Sequence, residues 1–344
     1  MTERVSRREW ITGCLAIAGM PTLARAVAGQ RETATTRDRI TTVTGRIERA
    51  DLGVTLMHEH VLVDFVGADK VDPSRYDADA VFERVLPYLK QVKTLGAASL
   101  VDCTPAYLGR DPKLLARLSK ASGLHILTNT GYYGARKHAH LPAHAFTETA
   151  DQVAARWIRE HEQGIDGTGI RPALMKIGVD AGPLSEVNAK MVRAAAIAHK
   201  ATSLPIAAHT GDGVAAFEEL DLIEKAGAPL SAFIWVHAQA EKDEARHVKA
   251  AARGAWVEFD GISEKSVERH VSLVMNMKAA GHLGRVLVSH DAGWYHVGEP
   301  NGGEFRPFDT LFTKFIPALK AAGATEADVR QLLVENPLRA LTGR

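Results

Sequence analysis

The sequence predicts an α/β protein, a single (β/α)8 TIM barrel in which eight parallel strands are each followed by a helix. Short apolar runs that are too short for helices alternate with alanine-rich segments of helical spacing. Such alternation requires parallel strands with crossover helices, and eight repeats fit a closed barrel better than an open sheet. Several helical segments end at glycine, the residue that best tolerates the left-handed C-cap conformation. An open doubly wound sheet is the alternative.

The predicted elements follow one another in a regular order. The strands are 54–57, 99–103, 126–130, 174–179, 205–208, 233–236, 255–259 and 286–289. Helices are predicted over 79–95, 112–122, 148–163, 186–202, 214–226, 242–252 and 267–280. No linker or change in composition interrupts this rhythm, so residues 29–344 are expected to form one domain.

Composition excludes several classes of protein. A hydrophobic fraction of 46% with 24% charged residues excludes wholesale disorder and fibrous repeats. The formal net charge is only +1, so the chain does not have the excess of basic residues that is typical of a nucleic-acid-binding protein. Two cysteines, at positions 14 and 103, cannot build a disulfide framework.

The N-terminus has the features of an export signal. Arg7 and Arg8 precede an apolar stretch over 11–23, and small residues follow at 24–29. This pattern resembles a twin-arginine signal peptide over 1–28, cleaved after Ala28 or after Ala26. Lipidation at Cys14 is disfavoured because this cysteine lies near the start of the apolar stretch, whereas lipidation requires a cysteine after it. A periplasmic or secreted protein without a membrane anchor after cleavage is expected, and a basic terminus with no targeting role is the alternative.

Metal-ligating residue types stand at the carboxyl ends of several predicted strands, where active sites of this fold are built. His58 and His60 end the first strand and share one of its faces, because side chains alternate along a strand. The residues at four later strand ends are Lys176, His209, His237 and Asp291. This recurrence favours metal ligands over isolated core histidines, a buried Lys176 ion pair with Asp180, or a helix cap at Asp291.

The residue types indicate two divalent ions, zinc first, with cobalt, manganese or iron as alternatives. Imidazoles and a carboxylate suit zinc, but two ions held close together need a bridging anion. Lysine is cationic unless burial favours its neutral amine, which can then take up carbon dioxide. The sequence therefore predicts a carbamate on Lys176 as the bridging ligand.

Motifs in this order are similar to those of the phosphotriesterase family of the amidohydrolase superfamily. The similarity covers the segments 53–60, 131–133, 175–178, 205–209 and 289–291, together with His237, and extends from about residue 47 to 337. It implies that His58, His60 and Asp291 hold a buried metal, and that His209 and His237 hold a more exposed one. Carbamylated Lys176 and a hydroxide would bridge the two ions.

The resemblance implies hydrolysis of organophosphate triesters, lactones or other esters, but the fold alone does not choose among them. Lactonases of the family usually carry arginine after the strand-seven aspartate, whereas Gly261 follows Asp260 here. The sequence has no cluster of arginines that would bind a charged phosphate monoester, so a neutral lactone or ester is the favoured substrate. Phosphotriester cleavage is expected as a secondary activity. The alternatives are a cyclic amidase or deaminase of the superfamily, or a non-catalytic periplasmic metal-binding protein.

Aromatic residues near two strand ends predict an apolar substrate pocket. These substrate-binding candidates are Tyr132, Tyr133, Trp294, Tyr295 and Phe305. The glycine-rich segment 294–308 is expected to be a loop, acting either as a lid or as packing at the barrel rim. His138, His140 and His144 are expected in an exposed loop. A small-molecule substrate is the expected partner, and a homodimer stays open.

Overall fold

A computed structural model describes residues 39–343 of the protein. The segment 1–28, for which the sequence predicts an export signal, lies outside the described residues. Strands β1 (Arg39–Thr42) and β2 (Gly45–Glu48) pair in a two-stranded sheet that precedes the barrel. The sequence analysis did not predict this pair. No helix in the described part of the chain is long and apolar enough to span a bilayer.

Ten further strands form the barrel. They are β3 (Thr55–Val63), β4 (Ser99–Asp102), β5 (His125–Leu127), β6 (Asn129–Thr130), β7 (Leu174–Val179), β8 (Ile206–Thr210), β9 (Phe233–Val236), β10 (Trp256–Phe259), β11 (Val286–Val288) and β12 (Ala292–His296). Their parallel order is β12-β3-β4-β5 and β6-β7-β8-β9-β10-β11. Because β5 and β6 form one barrel strand, and β11 and β12 another, eight strands close the barrel. The predicted fold class is confirmed.

Helices surround the strands. They are α1 (Ala78–Thr94), α2 (Pro112–Ser122), α3 (Ala143–Thr147), α4 (Ala150–Gln163), α5 (Glu186–Thr202), α6 (Gly213–Lys225), α7 (Ala245–Ala252), α8 (Val267–Ala279), α9 (Ile316–Ala321), α10 (Glu326–Arg330) and α11 (Asn336–Thr342). Side-chain caps fix several of their starts, as where the Asp111 carboxylate accepts the backbone N–H of Leu114. A large apolar layer between helices and strands forms the main core.

The first and eighth barrel strands differ from the predictions. β3 continues to Val63, so His58 and His60 lie within the strand rather than at its end. The eighth strand resumes at Ala292 and pairs with β3 as far as His296, which makes the start of the predicted loop a strand. The extended conformation is interrupted between the two segments, where Asp291 has a φ of 51°. This break turns the aspartate out of the regular ladder.

Candidate active site

The interior of the barrel changes from apolar to polar along each strand. Leu174 and Ala207 belong to an apolar cluster that fills the lower barrel. Two residues later, on the same face, stand Lys176 and His209, and both line a cavity of about 190 Å³ at the carboxyl ends of the strands. The same cavity is lined by His58, His60, His237 and Asp291. The structure thus brings all six predicted metal ligands together.

Three of these residues form a tight group. The Nε2 atom of His60 lies 3.1 Å from Oδ1 of Asp291 and 3.3 Å from Nε2 of His58. Nε2 of His58 lies 3.7 Å from the same Asp291 oxygen. Asp291 Oδ1 is buried and has no hydrogen-bond partner among the described residues. Two imidazole nitrogens and an unpartnered carboxylate oxygen that lie this close together fit a divalent cation.

The other two histidines stand beside this group. The rings of His209 and His237 are 4.4 Å apart and nearly perpendicular, and the ring of His237 lies 5.1 Å from that of His58. The hydroxyl of Tyr133 lies 3.2 Å from Nε2 of His209. Burial lowers the pKa of His209 well below its ordinary value, and His237 adds to the effect. A neutral imidazole at His209 is the form that binds metals.

Asp260 joins the two groups of ligands from beneath. Its carboxylate accepts a hydrogen bond of 2.7 Å from Nδ1–H of His237 and lies 3.0 Å from Nδ1 of His58. Gln239 donates to it at 2.7 Å. Burial alone would raise the pKa of Asp260, but His237 and His58 hold it well below its usual range. Asp260 is therefore an anion that orients two imidazoles.

Burial would also lower the pKa of His58, as would Lys176, but Asp260 and Glu258 raise it to about 10. Burial lowers the pKa of His60 to about 4. Thr104 gives its hydroxyl proton to the carbonyl of Leu62, so Nδ1–H of His60 donates to the Thr104 oxygen at 2.8 Å. The Nδ1 atoms of His58 and His237 lie beside the Asp260 carboxylate, and that of His60 lies beside the Thr104 hydroxyl. In each of these three histidines Nε2 is the nitrogen left to bind a metal. Supporting acceptors of this kind orient metal-binding imidazoles.

Lys176 is almost fully buried, at 2% exposure, inside this cluster. Within residues 39–343, no ion pair joins its amine to a carboxylate. Asp180, the partner considered from the sequence, instead accepts the backbone N–H groups of Arg136 and Lys137. The buried amine of Lys176 therefore lines the cavity together with the other five candidate ligands.

Two glycines allow the backbone to approach the site closely. A Cβ at Gly131, whose φ is +120°, would lie 2.2 Å from the carbonyl oxygen of Lys176. A Cβ at Gly293, with a φ of +91°, would lie 1.8 Å from the carbonyl oxygen of His60. Only glycine fits both the conformation and the space.

The structure separates the five predicted substrate-binding residues. Tyr133 and Trp294 line the cavity. Tyr132 is hydrogen-bonded to His144 and packs edge-on against Trp157, outside the lining. Phe305 is buried against Tyr88 and Phe308, and Tyr295 covers Gly302. These three residues pack the barrel rim instead of the cavity. For Tyr295 and Phe305 the reason is that the chain after Asp291 continues the eighth strand as β12.

The histidine-rich segment also differs from the sequence expectation. His140 is buried, and its ring lies 5.7 Å from that of Phe65. His138 is hydrogen-bonded to Ser185. His144 contacts Tyr132 from helix α3, so the prediction of an exposed loop was wrong for His140 and His144, whereas His138 is half-buried in a loop.

Sequence reasoning missed several residues around the cavity. The sequence analysis named Asp260 only as the aspartate that precedes Gly261 and gave it no role at the site. Its position as an acidic residue at a strand end could have indicated such a role. Phe65, Leu108 and Arg136 line the cavity from loops, and no motif predicted their positions.

The profile of the phosphotriesterase family matches residues 38–341. The chain belongs to the phosphotriesterase family. It is 31% identical over 289 residues to the phosphotriesterase homology protein of Escherichia coli, covering 83% of this chain and 96% of that protein. It is 26% identical over 307 residues to an aryldialkylphosphatase of Saccharolobus solfataricus, covering 85% and 95% of the two chains.

Other members extend the comparison. An N-acetyltaurine hydrolase of Danio rerio is 25% identical over 354 residues, covering 89% of this chain and 98% of that protein. The solved structure of an organophosphorus hydrolase from Deinococcus radiodurans superposes with a TM-score of 0.79 at 27% identity, covering 88% and 97% of the chains. Family members therefore differ in the substrates that their names give.

Proposed function

We propose that this protein is a binuclear metal-dependent hydrolase that cleaves a lactone or carboxylic ester, with phosphotriester cleavage as a secondary activity. The observation that carries the proposal is the convergence of four histidines, a lysine and an aspartate on one cavity. The imidazole nitrogens of these histidines and the unpartnered Asp291 oxygen form a donor set suited to zinc or a related divalent ion. The family membership supports the same reaction class.

We assign the two ions to ligand groups as the resemblance to the family implies. His58, His60 and Asp291 would hold one ion, His209 and His237 the other, and Lys176 would bridge them. When bound, the ions would polarise the substrate oxygen and lower the pKa of the attacking water.

Asp291 accepts the proton of that water with its carboxylate and delivers it to the leaving group. Trp294 fixes the aspartate by donating Nε1–H to its backbone carbonyl at 2.8 Å. The hydroxyl of Tyr133, beside His209, is placed to orient a substrate at the cavity wall. These roles need no residue outside the cavity lining.

The proposed bridge on Lys176 forms when its neutral amine adds to carbon dioxide, which makes an N–C bond and releases one proton. Lys176→Ala should nearly abolish metal binding and hydrolysis, because the donor set loses its only bridging anion. Added bicarbonate should restore the bridge only in chains that retain the amine, whereas a short carboxylic acid should partly rescue the variant. Unchanged metal content in Lys176→Ala would reject the carbamate. Lys137→Ala, which removes an exposed amine, is the matched control.

The experiment for the reaction itself is a rate comparison of zinc-loaded and chelated protein. The panel contains γ- and δ-lactones, aryl esters and a dialkyl aryl phosphate. We expect lactones or esters to have the highest kcat/KM and the chelated protein to be inactive. A phosphotriester that exceeds every lactone and ester tenfold would reverse the order, and full activity after chelation would reject metal dependence.

Amide hydrolysis is a second candidate. The similarity to proteins named N-acetyltaurine hydrolase favours it, because attack on an amide carbonyl needs the same polarised oxygen and proton delivery. N-acetyltaurine therefore belongs in the panel. A kcat/KM for this amide above that of every ester would make the protein an amidase.

We also propose export by the twin-arginine route, because Arg7 and Arg8 precede an apolar stretch. Export of a folded protein would suit a metal site that is filled before transport. N-terminal sequencing of protein from a periplasmic fraction should begin at residue 29 or 27. An intact Met1 on protein that stays in the cytoplasm would contradict export.

A further inference from the structure

A guanidinium stands at the wall of the proposed catalytic cavity. Arg136 lines this cavity together with Phe65 and Trp294. The Cζ atom of Arg136 lies 4.5 Å from the centre of the Phe65 ring. Phe65 in turn stacks on Trp294, with ring centres 5.5 Å apart and planes at 28°. A cation on an aromatic face is oriented by it, so the guanidinium has a defined place at the cavity.

Nearby carboxylates do not neutralise this guanidinium. Asp64, the residue before Phe65, forms an ion pair of 2.6 Å with Nε of Arg75. Asp180 uses its two oxygens to accept the backbone N–H groups of Arg136 and Lys137, at 2.8 and 3.1 Å. In residues 39–343, no ion pair joins the Arg136 side chain to an acid. The charge is therefore available to a ligand.

The backbone that carries Arg136 is held in an unfavourable conformation. Arg136, Lys137 and His138 have φ values of 57°, 56° and 65°. These values define a left-handed turn that residues other than glycine rarely adopt. Asp180 fixes this turn through two backbone hydrogen bonds, and Ser185 fixes His138 at 2.9 Å. Strain of this kind persists where surrounding contacts enforce it and is concentrated at functional sites.

We propose that the substrate carries a carboxylate or sulfonate remote from the bond that is cleaved, and that Arg136 binds this group. The inference rests on the proposed hydrolase function and refines its substrate class. The ester group that is hydrolysed is neutral and lies at the proposed metal site, while the remote acidic group pairs with the guanidinium of Arg136. Phe65 and Trp294 contact the carbon skeleton between the two ends.

Two esters that differ only in charge test the proposal. 3-Acetoxybenzoate and 3-acetoxybenzamide present the same acetyl ester, and their meta substituents have nearly the same shape. For the metal-loaded wild type, kcat/KM should be about tenfold higher for the acid than for the amide. Arg136→Gln should bring this ratio close to one, mainly by raising KM for the acid, and Arg136→Lys should keep part of it. Comparing ratios between proteins cancels the intrinsic reactivity of the esters.

Two matched variants control for net charge and for stacking. Lys137→Gln removes a positive charge from the same turn, outside the cavity lining. Arg306→Gln removes a guanidinium that lies 4.9 Å from the Trp294 ring centre and does not line the cavity. Both should keep the wild-type preference for the acid. A preference that survives in Arg136→Gln, or that disappears equally in Lys137→Gln, would overturn the proposal.

A binding measurement separates this inference from the reaction. Calorimetric titration of metal-loaded protein with 3-hydroxybenzoate and 3-hydroxybenzamide should show tighter binding of the acid, with the difference lost in Arg136→Gln. If the wild type hydrolyses neither these two esters nor any member of the lactone and ester panel but binds the acid through Arg136, the proposed reaction fails and the anion site stands. Equal affinities of wild type and Arg136→Gln for the acid would reject the site, whether or not either ester is cleaved.

Discussion

The stability of the barrel should depend on the protonation of one buried carboxyl group, that of Glu219 in α6. Thr210, the residue after His209, has one hydroxyl proton but two acceptors, the carbonyl of Ala208 at 2.9 Å and Oε2 of Glu219 at 2.7 Å. Both hydrogen bonds form at once only if Glu219 is protonated and donates to Thr210. Burial raises the pKa of Glu219 to about 8. The carboxyl group is therefore neutral at pH 7 in the folded protein.

The sign of the pH effect follows from this raised pKa. Between pH 4.5 and 8, the folded chain keeps a proton at Glu219 that the unfolded chain loses. The contribution of Glu219 to the free energy of unfolding is fully present below pH 4.5, the pKa of this group in the unfolded chain. It decreases as the pH rises towards 8, the pKa in the folded chain. Each tenfold difference in proton affinity corresponds to about 1.4 kcal/mol. From about pH 5.5 to 8 the loss is therefore roughly 3 kcal/mol, as an upper figure.

Glu219→Gln removes the titration and keeps a donor for Thr210. Relative to the wild type, the variant should gain stability as the pH rises from about 5.5 to 8, by up to roughly 3 kcal/mol. Urea unfolding of both proteins without metal, at several pH values, measures the difference. Glu224→Gln, which removes an exposed carboxylate from the same helix, should show no such trend. Parallel pH profiles for wild type and Glu219→Gln would refute the reasoning.

Three further substitutions test the site. Asp291→Asn should lower kcat by about two to four orders of magnitude, because the proton acceptor is lost; near-normal turnover at every pH would reject that role. Asp260→Asn should weaken zinc binding by about 10- to 100-fold in a chelator competition, because one of two imidazoles loses its acceptor; an unchanged affinity would show that Asp260 does not orient the ligands. Gly131→Ala should destabilise the protein by roughly 2 kcal/mol or more relative to Gly96→Ala in urea unfolding, because both have positive φ but only Gly131 faces the Lys176 carbonyl at 2.2 Å. Equal losses in the two variants would contradict the close approach.

The convergence of the six candidate ligands could be predicted because strand geometry is simple. Side chains repeat every two residues and parallel strands end at one rim, so Lys176 and His209 had to face the barrel interior beside their neighbours. Neither step needs information from loops. The barrel itself followed from the same alternation.

The cavity wall could not be predicted, because it depends on how loops fold over the rim. Arg136 lines the cavity through a left-handed turn that Asp180 holds from a different strand end. Phe305 lies outside the cavity because the chain after Asp291 continues the eighth strand as β12 and pairs with β3. Contacts between residues far apart in sequence decide both positions, and local pattern does not encode them.

The most direct test of the central claim is the metal content of the folded protein. Zinc-loaded wild type, freed of excess metal by gel filtration, should contain about two ions per chain by mass spectrometry. Chelation should remove the ions together with hydrolysis, and zinc should restore both. A protein that binds about one ion or none, or that hydrolyses its best substrate at an undiminished rate after chelation, would contradict a binuclear hydrolase.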